Sequence, residues 1–201
     1  MAFPRAYHNL TLLPDGQVLV TGGGDTTDAV GLDGAIGPAE LWSPVTKSWT
    51  TLAAMQTPRL YHSIALLLPD GRVLVGGGGR FNGPAAATDQ TSIEIFSPPY
   101  LFKGARPVIT TAPATTSYGA TMMVPTPDAA RIESVALVKP GSVTHSFNAD
   151  QRYVPLSFTA SGTTLTVHAP ANANLAPPGY YMLFIVDTNG IPSVAKFVRI
   201  Q

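Results

Sequence analysis

Cysteine is absent from the 201 residues of this chain. Disulfide cross-links, thiolate metal sites and a cysteine nucleophile are therefore excluded within it. Charge is scarce too: 12 basic and 12 acidic side chains cancel, and charged residues make up only 12% of the sequence. Nucleic-acid binding draws on clustered Lys and Arg, so no nucleic-acid partner is expected. No apolar run approaches the ~20 residues that span a bilayer as a helix, and no membrane association is expected. Segments with a helical period are lacking as well. Disorder is excluded from the other side, because 45% of the residues are hydrophobic and the net charge is zero. Glycine and proline are abundant, at 19 each. With the many Val, Ile, Thr and Tyr residues, they predict an all-β protein of short strands cut by turns.

The chain repeats itself. Pro4-Arg5-Ala6-Tyr7-His8 leads to Leu13-Pro14-Asp15-Gly16, then Val18-Leu19-Val20 and Gly22-Gly23-Gly24. Pro58-Arg59-Leu60-Tyr61-His62 leads to Leu68-Pro69-Asp70-Gly71, then Val73-Leu74-Val75 and Gly76 to Gly79. Glu40-Leu41-Trp42-Ser43-Pro44 returns as Glu94-Ile95-Phe96-Ser97-Pro98. His8 and His62, Trp42 and Phe96, and Pro44 and Pro98 all stand 54 positions apart, with one inserted residue between His62 and Pro69. A period of about 50 built from short strands and a glycine run marks kelch-type β-propeller blades. Two copies are too few to close a ring of about four to eight blades. Met1-Ala2-Phe3-Pro4-Arg5 also lacks the charged start and apolar stretch of a secretory leader. The expectation is a C-terminal part of a longer protein.

Within each copy, Pro-Asp-Gly is a turn with a mechanism: Pro fixes φ, Asp bonds forward to the backbone, and Gly accepts positive φ. Strands are predicted at 9–13, 18–20, 39–42 and 47–52, and again at 64–68, 73–75 and 93–96, giving two four-stranded blades. Near 103–107 the repeat ends. Short strands are then predicted at 121–124, 134–138, 153–158, 165–168, 180–187 and 195–200. Turn signals such as Lys139-Pro140-Gly141, Ser161-Gly162 and Asn189-Gly190 separate them. That pattern predicts an immunoglobulin-like β-sandwich. The expected organisation is residues 1–104 as two propeller blades and residues 105–201 as the sandwich.

Four histidines offer chemistry. His8 and His62 each follow a tyrosine at equivalent repeat positions, and His145 lies in Val143-Thr144-His145-Ser146-Phe147. His168 alternates with Leu165 and Val167 on one strand and so reads as a surface residue. Imidazole with a phenolate oxygen suits copper in an N,O site, but the same Tyr-His pair also serves packing and blade-to-blade bonding. Three smaller motifs carry little. Asn9-Leu10-Thr11 is a glycosylation sequon inside a predicted buried strand. Asp25, Asp28 and Asp33 miss the spacing of a calcium loop. Gly76 to Gly79 lacks the strand-to-helix setting of a phosphate loop.

The run Pro58 to Gly79 resembles the last blade of the galactose oxidase and glyoxal oxidase family of copper radical oxidases. Two further segments, Thr144 to Leu156 and Pro178 to Val194, resemble that family's C-terminal immunoglobulin-like, early-set domain. The resemblance covers essentially the whole chain. It implies a secreted oxidase that converts primary alcohols or aldehydes with O2 and releases H2O2. It also implies a mononuclear copper held by Tyr61, His62 and His145, with Tyr61 taking the substrate proton. Tyr7-His8 matches the preceding blade, which supplies no copper ligand. The family's radical resides on a tyrosine cross-linked to a cysteine, and this chain has no cysteine. The resemblance therefore implies weak or no copper binding and no oxidase activity for this chain alone, with the missing propeller blades as its partners. The competing reading is a non-catalytic kelch-plus-sandwich module that binds carbohydrate or protein. Retention of Tyr61, His62 and His145 favours the first, and the missing radical pair favours the second.

Overall fold

A computed structural model describes residues 1–25, 34–79 and 89–201. In chain order its strands are β1 (Ala6–Leu12), β2 (Val18–Gly24), β3 (Pro38–Ser43), β4 (Ser48–Ala54), β5 (Ser63–Leu67), β6 (Val73–Gly77), β7 (Ile93–Phe96), β8 (Thr115–Thr116) and β9 (Thr121–Pro125). There follow β10 (Ile132–Val138), β11 (Val143–Thr144), β12 (Phe147–Asn148), β13 (Tyr153–Leu156), β14 (Phe158–Ser161), β15 (Thr164–His168), β16 (Gly179–Asp187) and β17 (Lys196–Ile200). The fold is all-β. Among the described residues the only helical pieces are two single 3-10 turns, at Pro99–Phe102 and Ala129–Arg131. No helix there is long and apolar enough to cross a membrane.

The chain divides into two compact units. The first comprises Met1–Leu67, Val73–Phe96 and Gly141–Asp150; the second comprises Leu68–Arg72, Ser97–Pro140 and Gln151–Gln201.

In the first unit β1-β2-β3-β4 form an antiparallel blade and β5-β6-β7 a second sheet of the same order. The second copy was expected to carry a fourth strand and does not. The equivalent positions, 102–108, hold Gly104 and Pro107 and form no strand. Proline donates no ladder hydrogen bond and glycine has no side chain to pack, so both weaken a strand there. The two sheets are tied at equivalent positions: Asn9 Nδ2 donates to Ser63 Oγ at 2.9 Å, 54 positions away. Asn9 is only 2% exposed, which removes its sequon from consideration. Leu13, Leu19, Val20, Leu60, Val73 and Val75 form the apolar interior. Each such side chain contributes about 1.5–3 kcal/mol on burial.

Each copy also buries an arginine against a glutamate near the start of its third strand. Arg5 Nη2 meets Glu40 Oε2 at 3.0 Å with both side chains fully buried, and Arg59 Nη2 meets Glu94 Oε1 at 3.3 Å. The first Pro-Asp-Gly turn behaves as its residues require. Asp15 Oδ1 accepts from Gln17 N–H at 3.1 Å, Gly16 N–H bonds Leu13 O, and Gly16 takes φ 80°.

The second unit is a sandwich of a five-stranded sheet, β13-β10-β16-β17-β8, and a three-stranded sheet, β14-β15-β9. Its core is the facing apolar set Val135, Leu137, Leu165, Val167, Leu183 and Ile185. The single strand expected at 153–158 is broken at Ser157. Tyr153–Leu156 pairs with β10 in one sheet, and Phe158–Ser161 pairs with β15 in the other. The apolar pattern continues through the break, so the sequence does not mark it. The second Pro-Asp-Gly turn belongs to this unit. Arg72 N–H bonds Asp70 Oδ1 at 3.0 Å, Gly71 takes φ 82°, and Ala195 N–H bonds Pro69 O at 2.8 Å.

Candidate metal centre

Adjacent residues on a regular strand face opposite sides, so Tyr61 and His62 cannot serve one site from within a strand. They lie just ahead of β5, in a tight turn where Ser63 N–H bonds Leu60 O at 3.0 Å. His62 adopts φ 64°, in the left-handed region that disfavours a residue with a Cβ. The glycine run after β6 holds this bend from the other side. Gly79 N–H donates to Tyr61 O at 2.9 Å, and Gly79 O lies 3.1 Å from His62 Nδ1. Gly79 itself takes φ 126°, and a Cβ there would collide with Asp89. The fourth glycine of the run is required by sterics.

His145 arrives from 83 positions downstream on a short hairpin, β11 and β12, within the same unit. Thr144 pairs with Phe147, leaving a two-residue turn of His145 and Ser146 at φ 53° and 62°. Positive φ at both central residues is the type I′ geometry that suits the strand twist, and Asn-Gly is its usual occupant. A His-Ser pair there is strained, and strain of that kind gathers at functional sites.

The two imidazoles meet at Nε2, 3.1 Å apart. Their ring centroids are 4.7 Å apart and nearly perpendicular. Each ring's Nδ1 is already engaged: that of His62 by Gly79 O, and that of His145 by Thr144 Oγ1 at 2.7 Å. With Nδ1–H donating to a carbonyl, Nε2 of His62 carries the lone pair. The tautomer of His145 is not set in the same way, because the Thr144 hydroxyl can donate or accept: with Nε2–H it donates to His62, and with Nδ1–H the two Nε2 lone pairs face each other and can share a cation. Nitrogens bonded to one first-row ion at about 2 Å each lie no more than about 4 Å apart, and this pair meets that limit. Tyr61 completes the cluster, its ring 4.0 Å from that of His62 and 5.3 Å from that of His145. Both imidazoles are exposed and Tyr61 is half-buried, so the cluster is open to solvent. Among the described residues no group of three or more His, Cys, Asp or Glu forms a metal site.

The other signals fall elsewhere. His8 does not join the pair; its Nδ1 lies 3.1 Å from Arg5 O, and its ring lines an apolar groove with Leu10, Trp42 and Trp49. Burial lowers its pKa; the Arg5 carbonyl opposes that shift and the Arg5 charge adds to it. His168 is exposed, while Leu165 and Val167 on the same strand are fully buried. Asp28 and Asp33 lie outside the described residues. Sequence reasoning missed Tyr7, whose ring stands edge-on to Tyr61 with centroids 5.4 Å apart. The repeat was the signal available, since Tyr7 occupies in one copy the place of Tyr61 in the next.

Comparison with known proteins adds an independent view. Residues 1–100 match the family profile described as Glyoxal oxidase N-terminus, and residues 106–200 match that described as Galactose oxidase-like, Early set domain. A galactose oxidase of Gibberella zeae is 34% identical over 205 residues, covering 98% of this chain and 30% of that protein. Aldehyde oxidase GLOX of Vitis pseudoreticulata is 35% identical over 224 residues, covering 100% of this chain and 42% of that protein. A solved fungal alcohol oxidase in complex with copper superposes with a TM-score of 0.93 at 31% identity, covering 100% of this chain and 43% of that one. The chain thus spans less than half the length of these relatives.

Proposed function

This chain belongs to the galactose oxidase and glyoxal oxidase family, and from that premise we propose that Tyr61, His62 and His145 hold a copper ion in an oxidase of primary alcohols or aldehydes. The observation that carries the proposal is the 3.1 Å approach of two Nε2 atoms from residues 83 positions apart, with both Nδ1 atoms engaged. The copper-bound fungal relative supports the choice of ion. The relatives named as galactose and aldehyde oxidases support a small alcohol, sugar or aldehyde as substrate.

Bound copper would supply one-electron redox chemistry, so that the alcohol loses two electrons and two protons and O2 takes them up as H2O2. The residues of this chain have narrower tasks. His62 and His145 present Nε2 in fixed orientation, because Gly79 O and Thr144 Oγ1 hold their other nitrogens. Tyr61 is the proton acceptor for the substrate hydroxyl through its phenol oxygen. The cross-linked radical pair of the family requires a cysteine that is not in this chain. The chain alone therefore binds Cu(II) weakly and does not turn over. Its partners in the reaction are the remaining propeller blades. The same reading takes 1–104 as kelch-type blades and 105–201 as the early-set domain, in a secreted protein.

Titration of the 201-residue chain with Cu(II), followed by calorimetry and electron paramagnetic resonance, tests the assignment. Wild type is expected to give one nitrogen-coordinated signal that weakens in Tyr61→Phe and disappears in His62→Ala and His145→Ala. A signal unchanged in all three variants would overturn it and leave the non-catalytic carbohydrate- or protein-binding module as the better account.

A further inference from the structure

Five residues other than glycine hold positive φ among the described residues: Tyr7, Lys47, His62, His145 and Ser146. Three belong to the candidate metal centre and its hairpin, and Lys47 is the exposed last residue of a turn. Tyr7 is left unexplained. An aromatic residue at φ 58° is a conformational outlier, held only where its surroundings over-determine it. Those surroundings are dense. Arg5, two residues earlier, is pinned by Glu40, by Gly22 O at 3.0 Å and by Pro38 O at 2.6 Å. Pairing of β1 with β2 passes from Ala6–Gly24 to His8–Gly22, and a Cβ on Gly23 would sit 2.9 Å from that of His8.

The strain has a directional consequence. In the second copy the left-handed residue is the histidine, and the His62 ring meets His145. In the first copy it is the tyrosine, one position earlier in the motif. His8 then falls into the groove of Trp42 and Trp49, and the Tyr7 ring stands edge-on to Tyr61, with centroids 5.4 Å apart and planes at 77°. Among the described residues, the other ring neighbours of Tyr61 are His62 and His145, both candidate ligands themselves. Among the described residues, Tyr7 is the ring neighbour of Tyr61 that is not itself a candidate ligand.

We infer that Tyr7 is a positioning residue whose ring edge sets the plane of the Tyr61 phenol, and hence the placement of its oxygen toward copper. The inference rests on the copper reading above. Tyr7→Asn is the decisive variant in the 201-residue chain, because asparagine tolerates the left-handed region and so removes the ring while relieving the backbone. Its thermal midpoint is expected to equal or exceed that of wild type. Its Cu(II) affinity is expected to fall about 10-fold, the lower end for lost outer support of a metal ligand, with an altered paramagnetic signal. Tyr7→Leu should give the same copper defect, and Tyr7→Phe, which keeps the ring edge, should restore the wild-type signal. Lys47→Asn relieves strain of the same kind away from the centre and should leave copper binding unchanged. If Tyr61→Phe, His62→Ala and His145→Ala alter the signal but Tyr7→Asn and Tyr7→Leu both reproduce wild type, the inference is overturned and the copper reading stands. If none of the three ligand variants alters the signal, the copper reading fails and the role of Tyr7 falls with it.

Discussion

Individual residues in this chain are held in conformations they do not prefer, and each such residue is a measurable store of strain. Ser146 at φ 62° has no ligand role, so Ser146→Gly should keep the hairpin while relaxing its turn. A left-handed residue with a Cβ costs ~1–2 kcal/mol, partly offset by the entropy of glycine, so a net gain of up to about 1 kcal/mol is expected in denaturant unfolding. The opposite change at Gly23, which takes φ 81°, combines that cost with a collision at Ala6 O and His8. Gly23→Ala should therefore lose more than about 2 kcal/mol. The residue scale is also where the sequence was least legible. Resemblance, and not spacing, singles out Tyr61, His62 and His145 as candidate ligands. Tyr7 was set aside with His8, because sequence cannot say on which member of a Tyr-His pair the backbone turns left-handed.

At the scale of elements, the buried Arg–Glu pairs close each copy of the repeat. Removing one partner of a fully buried pair leaves an uncompensated charge, so Glu40→Ala is expected to cost about 3–5 kcal/mol by denaturant titration. Glu94 is more accessible and offers a pH test. Burial pushes its carboxyl up, but the N–H groups of Gln56 and Thr57 and the Arg59 charge outweigh it and hold the pKa below the ordinary 4.5. A carboxylate with a depressed folded pKa contributes stability that is complete above its unfolded value and lost as pH falls through the folded one. Wild type should therefore lose stability as pH drops below about 4.5, and Glu94→Gln should flatten that slope in thermal melts. Elements were the most legible level, because the repeat supplied two readings of each strand. The exceptions have physical causes. Two-residue strands such as β8, β11 and β12 are too short to show alternation, the sheet change at Ser157 interrupts no apolar pattern, and at 102–108 Gly104 and Pro107 stand where the second copy would carry its fourth strand.

For the whole molecule, the first unit presents a sheet whose outermost strand, β4, is exposed along nearly its whole length, including Trp49. Nearby, Met1, His8, Leu10, Val18, Trp42 and Trp49 line an apolar groove. Unpaired edges and open apolar surface promote association. The chain alone is expected to form oligomers or aggregates at high concentration in light scattering. Trp49→Ser should shift it toward monomer. A clean monomer for wild type would contradict this expectation.

The arrangement of the centre also sets an order in time. Tyr61 and His62 leave the ribosome together, whereas His145 is separated from His62 by 83 positions. At about 5–20 residues per second, the hairpin that carries His145 emerges roughly 4–17 seconds after its partners. Through that interval the nascent chain offers two of the three proposed ligands, and metal captured then would be held by Tyr61 and His62 alone. If Tyr61, His62 and His145 hold copper as proposed, full ligation would follow the docking of β11 and β12. On the copper reading proposed above, the metal would join a scaffold already assembled rather than nucleate the blades.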